Sequence, residues 1–198
     1  PDEVLRRFVE WVGGRRYGRE WDSFRDAHAD KTILTPEQYT TALAIRDAVR
    51  AHPVAREYLA SGSAEQVLTW SDAATGLALK GRTDWLSGSR PSVADLKTTA
   101  KGVGAREFSS TAARSLMHGQ LAFYRAGVKA ATGQDVPAVL IAVENIAPHD
   151  VAVFELDDSA LYAGETLVAE LLARLTACRA LDQWPGQHPG LEMLALPA

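Results

Sequence analysis

The stretch from Gly81 to Thr99, GRTDWLSGSRPSVADLKTT, constrains this chain more than any other. An alternating run carries Asp84 near its end. A turn follows through Ser87, Gly88, Ser89, Arg90 and Pro91, and a second short run from Ser92 to Leu96 delivers Asp95, with Lys97 just beyond. Alternate residues of a strand point to the same face. Asp95 and Lys97 therefore project together while Leu96 faces the other way. If the two runs pair as a hairpin, Asp84 reaches the same edge. Taken alone, Asp-x-Lys on a strand is an ordinary pair of surface charges. Two carboxylates and an ammonium on one edge, however, suit a hard divalent cation and an activated water beside a phosphate.

The rest of the chain supplies the setting for that edge. A length of 198 residues suits one domain, and 46% hydrophobic residues with 23% charged is ordinary for a chain that buries a core. The longest apolar runs, such as Ala138 to Val143, are too short to span a bilayer. Cys178 is the single cysteine, which excludes an internal disulfide and any cysteine-based zinc site. No signal-peptide pattern is visible, so the expected compartment is the cytoplasm. The net charge of −4 argues against a generally basic surface but leaves room for a local basic track. The chain opens on Pro1 and not on Met, and the expectation is that a segment precedes it.

Read in order, residues 2 to 12 form an amphipathic helix candidate with Val4, Leu5, Phe8 and Trp11 at helical spacing. Arg15, Arg16 and Arg19 then alternate with Tyr17 and Trp21. Guanidinium groups fork onto phosphates and aromatic rings stack on bases, so this loop is a candidate nucleic-acid contact. The plainer reading is a solvated loop with tucked aromatics. Thr35, Pro36, Glu37 and Gln38 make a helix start: a cap, a proline and an acid in the first turn. That helix is expected to run to about Ala51, and another to begin at Pro53 and stop at Gly62. His52, at their junction, reads as a structural hydrogen-bonder. Residues 1–62 are thus expected to be mainly helical.

Val67 to Trp70 reads as a first strand, Asp72 to Gly76 as a turn and Leu77 to Arg82 as a second strand. Glu65 stands at the entrance of this meander. Thr98 to Glu107 is a polar loop, and Ser109 or Ser110 is placed to cap one long helix ending near Thr132. Gln120 and Tyr124 are four apart on it and share a face. Ala138 to Val143 and Val151 to Leu156 read as strands, with a final helix capped by Asp157 or Asp158. The order of elements gives an α/β fold: a mixed central sheet, made of an antiparallel meander and a crossover helix, flanked by helices. The catalytic core is expected over 63–182 and an irregular tail over 183–198.

Glu65, Asp84, Asp95-x-Lys97 and Gln120-x-x-x-Tyr124 follow one another in an order that resembles the PD-(D/E)XK nuclease superfamily. More narrowly, the phrases Lys80-Gly81-Arg82-Thr83-Asp84-Trp85-Leu86, Asp95-Leu96-Lys97-Thr98-Thr99 and Gln120-Leu121-Ala122-Phe123-Tyr124 resemble the RecE-type exonucleases (exodeoxyribonuclease VIII). With His52-Pro53, Gly62-Ser63-Ala64-Glu65 and Trp70-Ser71-Asp72, they span roughly residues 35 to 156. The resemblance implies Mg²⁺ or Mn²⁺ held by Asp84, Asp95 and the Leu96 backbone carbonyl, with Glu65 reaching it through water. Lys97 would act on the attacking water. Gln120 and Tyr124 would orient DNA or the metal geometry, and Thr98 would join Arg15, Arg16 and Arg19 in contacting DNA.

The implied reaction is hydrolysis from duplex DNA ends, 5′ to 3′, in recombination or phage DNA processing. The implied partners are duplex ends, a single-strand annealing or recombinase protein, and further copies of the chain, with no membrane. One departure stands out. The group carries a metal-binding histidine on an early helix, and none can be placed here, so the expectation is that it lies upstream of Pro1 or that this chain binds metal more weakly. Two rival readings remain. One is another nuclease of the superfamily, although a Cas-four-type enzyme needs cluster cysteines that this chain lacks. The other is a non-catalytic DNA-binding or assembly module of the same fold.

Overall fold

The computed structural model describes residues 7–186 together with 190, 191 and 193. Two layers of helix enclose a five-stranded sheet. Its strands are β3 (Gly62–Ser71), β4 (Ala78–Ser87), β5 (Ser92–Thr99), β6 (Ala138–Glu144) and β7 (Val151–Glu155), which lie in that order across the sheet. All neighbours are antiparallel except β5 and β6, which pair in parallel from Val93↔Ala138 to Thr99↔Glu144. A parallel pair needs a crossover, and helices α4 (Ala105–Arg114) and α5 (Met117–Thr132) supply it. The mixed sheet with helices on both faces is the architecture expected from the sequence.

The strand β6 explains why the core sits where it does. Its residues Ala138 through Val143 are all buried, because helices cover both sides of the sheet at this strand. On one side Leu140 and Val93 pack with Phe108, Met117 and Leu121 of α4 and α5. On the other, Val139, Ile141 and Ala94 pack with Val49, Ala55 and Tyr58. Those last three come from α2 (Pro36–Ala51) and α3 (Pro53–Leu59). Helix α2 starts as its sequence requires, with a reciprocal capping box between Thr35 and Gln38. Helix α3 is tied to β4 through the Tyr58 carbonyl, which accepts from Trp85 Nε1 at 2.9 Å and from Ser87 Oγ at 2.7 Å.

Two expectations fail. Where a helix was expected over residues 2–12, Phe8–Glu10 is instead a strand, β1, paired in parallel with β2 (Thr32–Leu34); residues 1–6 lie outside the described residues. The apolar side chains that mimic a helical stripe serve tertiary contacts. Trp11 packs on Trp21 and Phe24 of α1 (Arg19–Ala27), with ring centroids 5.4 and 4.8 Å away. Within the described part of 1–62, a β-α-β unit therefore precedes the helices that begin at Pro36. The second failure is the long helix expected from Ser109. The helix begins earlier, at Ala105, and breaks at Ser115–Leu116, where Leu116 adopts a left-handed conformation at φ 53. The break lets α4 pack Phe108 on Phe154, stacked with centroids 5.2 Å apart, while α5 crosses the sheet on its own line.

The last helix, α6 (Asp158–Leu181), docks on α5 through small residues, and Asp157 caps its start by accepting from the Ala160 amide at 2.8 Å. A Cβ on Gly164 would lie 2.4 Å from the His118 carbonyl oxygen of α5. That atom is backbone and cannot step aside. Gly164→Ala is expected to destabilise the fold by about 1–3 kcal/mol, read as a lower midpoint in urea unfolding, whereas Gly186→Ala, in open space, should leave the midpoint unchanged.

Candidate active site

The site lies where β4 and β5 part. The two strands pair at only three positions, Trp85↔Ala94, Leu86↔Val93 and Ser87↔Ser92. Beyond them β4 continues along β3, and β5 continues along β6. Asp84 and Asp95 are the first residues past the last pair, one on each arm of the fork. The Leu96 amide, freed from β4, donates to Asp84 Oδ2 at 3.3 Å. In an extended strand the N–H and C=O of one residue point to the same edge, so the Leu96 carbonyl also faces the fork.

Asp95 is the buried member of the pair, with a fully covered side chain. Neither of its carboxylate oxygens has a hydrogen-bond partner. Lys97 Nζ stands 2.5 Å from Oδ2 as a charge contact, without the angles of a hydrogen bond. Burial pushes the Asp95 carboxyl above its usual range; Lys97 pulls it down and the neighbouring Asp84 carboxylate pushes it up again.

Asp84 is exposed and also borders an open cavity of about 650 Å³. Gln120 and Tyr124 of α5 line this cavity, and Gln120 Nε2 donates to Tyr124 Oη at 3.1 Å. Tyr124 approaches β4 closely because residue 81 is glycine: a Cβ there would meet the ring at 3.2 Å. The cavity also holds features that the sequence reading did not single out. Lys80 and Arg82 share β4 with Asp84 at two-residue spacing, a pattern visible in the sequence. Leu167 and Leu171 of α6 form an apolar wall, which only the tertiary fold brings there.

The structure thus gathers Asp84, Asp95, Leu96 and Lys97 at the fork and sets Gln120 and Tyr124 across the cavity from Asp84. Glu65 is treated differently. It occupies the position on β3 across from Asp84, between the pairs Ala64↔Trp85 and Gln66↔Thr83, but with a left-handed backbone at φ 55. Its carboxylate meets Arg82 Nε at 2.9 Å. Among the described residues, no three histidine, cysteine or acidic side chains come close enough to share a metal, so Glu65 does not join the two aspartates.

Thr98 is exposed on β5, beyond the fork. Arg15 lies against Tyr17, Arg16 donates to the Ile33 carbonyl at 3.1 Å, and Arg19 opens α1; all three are exposed on the N-terminal unit. His52 caps α3, its Nδ1 facing the Ala55 amide at 3.2 Å.

The mixed five-stranded sheet flanked by helices is the frame of a PD-(D/E)XK-like domain. The family described as "PDDEXK-like domain of unknown function (DUF3799)" matches residues 2–195, and the chain belongs to it. Among solved structures, it is similar to a protein from Eubacterium rectale described as a "putative exonuclease". The TM-score is 0.58 at 17% identity, over 79% of this chain and 62% of that one. The chain thus spans less than two thirds of that protein's length. SSO0001 aligns more weakly, with a TM-score of 0.38 at 17% identity over 67% of this chain and 56% of the other. No curated protein matches. No described helix is long and apolar enough to cross a membrane.

The raised carboxyl of Asp95 gives a stability test. The folded chain holds this proton at a pH where the unfolded chain has released it, so stability falls as pH rises from the unfolded value near ~4 through the folded one. Metal-free Asp95→Ala lacks this loss. Its melting temperature, compared with wild type across the acid range in a chelator, is expected to gain on wild type as pH rises above the unfolded value.

Proposed function

We propose that the chain is a divalent-metal-dependent deoxyribonuclease of RecE type that hydrolyses phosphodiester bonds from the ends of duplex DNA. One observation carries the reading: Asp84, Asp95, the Leu96 carbonyl and Lys97 converge where two strands diverge. A buried carboxylate whose Oδ1 has no partner, and whose Oδ2 meets only the Lys97 ammonium, has oxygens left over for a cation. Asp84, Asp95 and the Leu96 carbonyl are the oxygen donors that would hold Mg²⁺ or Mn²⁺, both of which prefer such ligands. Bound there, the ion would supply charge stabilisation at the scissile phosphate and an acidified water.

The chain's own groups do the rest. Lys97, held against Asp95, directs its ammonium at the attacking water and the phosphate oxygens. Asp84 accepts from the Leu96 amide and so fixes the arm on which that carbonyl sits. Gln120 and Tyr124, hydrogen-bonded to each other, face the substrate from α5. Glu65 acts at one remove: it holds Arg82 over the cavity, and would reach a water of the metal shell only by leaving that partner. The 5′ to 3′ polarity, the role in recombination or phage DNA processing, a homo-oligomeric assembly and a recombinase or annealing partner follow from the resemblance to RecE-type enzymes.

The test is digestion of an end-labelled linear duplex beside a closed circle, with and without Mg²⁺. Metal-dependent shortening of the linear DNA with an intact circle is expected. A nicked or linearised circle would point to an endonuclease, and no cleavage of either would favour a binding module. Two variants assign the roles. Asp95→Ala is expected to abolish cleavage and the rise in melting temperature that wild type shows on adding Mn²⁺. Lys97→Ala should keep that metal-induced rise yet lose roughly 10²–10³-fold in rate at saturating metal; a normal rate with lost metal binding would overturn the role given to Lys97.

A further inference from the structure

A second polar cavity, of about 710 Å³, opens beyond the end of β5. It is lined by Lys101, Arg106 and Arg114, with the hydroxyls of Ser110 and Thr111 between them. Arg106, Ser110 and Arg114 are spaced four apart on α4 and share one face. The backbone positions of the two arginines are thus roughly 12 Å apart along the helix axis. All three cations are exposed, and none meets a carboxylate within ion-pair distance among the described residues. Glu107 also reaches the cavity, but its carboxylate lies over Gly102. In a chain of net charge −4, three unpaired cations around one hollow are a local reversal of sign.

The position of the cavity names its occupant. The strand that carries Asp95 at the fork ends at Thr99, and Lys101 follows two residues later. Four residues of strand cover roughly 13 Å, about four base steps of a duplex at 3.4 Å each. A duplex with one phosphate at the fork, if it runs along β5, brings a later stretch of its backbone over the cavity. We propose that Lys101, Arg106 and Arg114 form a second binding site, which holds the phosphodiester backbone of duplex DNA away from the point of cleavage. The inference rests on the nuclease reading for the line along which the duplex lies. Arginine forks onto phosphate oxygens, hydroxyls donate to them, and neither reads a base, so the site grips any sequence.

The test is binding of a labelled duplex, longer than the span from fork to cavity, followed by fluorescence anisotropy in a chelator over a range of salt. Each lost phosphate contact lowers the slope of log K against log salt by about 1. Lys101→Ala/Arg106→Ala/Arg114→Ala is expected to lower the slope by about 2–3 and to weaken binding roughly tenfold or more at moderate salt. The same-charge control Arg50→Ala/Arg56→Ala/Arg179→Ala, on other faces, should keep the wild-type slope. Arg106→Gln and Arg114→Gln, each expected to lower the slope by about 1, carry the test if the triple variant does not fold. A wild-type slope in the cavity variants, an equal loss in the control, or no binding of duplex by wild type would each overturn the proposal. A lowered slope without any Mg²⁺-dependent cleavage by wild type would retain the binding site and remove the nuclease. Cleavage with an unchanged slope would do the reverse.

Discussion

A carboxylate buried without a hydrogen bond is costly, and the structure around Asp95 is arranged to keep one. The strand β5 is held by seven consecutive register pairs to β6, the most buried strand of the sheet. Val93 and Ala94, just before it, anchor opposite faces of the core. The side chain therefore cannot swing out to water without moving a strand fixed on both sides. Lys97, two residues on and a quarter exposed, supplies the counter-charge from the same strand and the same face. Breaking one partner of such a pair costs more than the pair contributes, so the pair adds little net stability of its own.

The fork depends on where pairing stops. Three pairs join β4 to β5 near their turn, and the twist of the sheet then carries each strand toward a different neighbour. Backbone groups released at the split need partners, and the Leu96 amide finds the Asp84 carboxylate. The same release leaves the Leu96 carbonyl toward the opening. On the far side of the cavity, α5 can approach because glycine stands at three contact points. Gly81 admits Tyr124, Gly127 admits Trp70, and Gly119 admits Leu167; a Cβ at these places would lie 3.2, 2.8 and 2.8 Å from those side chains. Helix, sheet and last helix thus close on a cavity that neither a bulkier strand nor a bulkier helix would allow.

Much of this was legible in the sequence because it is local. Asp95 and Lys97 share a face by the two-residue period of a strand, and Gln120 and Tyr124 by the four-residue step of a helix; both hold. The turn at Asp72 to Gly76 is written in its side chains, since Asp72 accepts from the Thr75 amide and hydroxyl. What was not legible depends on distant partners. Phe8 to Glu10 is extended only because Thr32 to Leu34 lies beside it, and Trp11 keeps helix-like spacing for contacts with α1. The break at Leu116 places a non-glycine residue in a left-handed conformation, which no local signal announces. Glu65 is the clearest case: its position across from Asp84 follows from register, but the backbone inversion and the pairing with Arg82 follow from neither spacing nor residue type.

The distribution of charge ties these features together. The carboxylates at Asp22, Asp47, Glu57, Asp135 and Glu165 are each matched with an arginine on outlying surfaces. Their carboxylates are exposed, with Arg125 serving both Asp135 and Glu165, and such surface pairs contribute little to stability, yet they neutralise acid that would otherwise repel a polyanion. Cations also stand where the strands of the fork lead: Lys80 and the Glu65-paired Arg82 beside the cavity along β4, and Lys101, Arg106 and Arg114 past the end of β5. Asp84 and Asp95 sit between these two groups. On the proposed nuclease reading, a phosphate chain drawn by the flanking cations would be repelled by two bare aspartates, and a divalent cation held by them would cancel that charge where the backbone comes close. Metal binding and substrate binding are therefore expected to be coupled, each strengthening the other by the same factor.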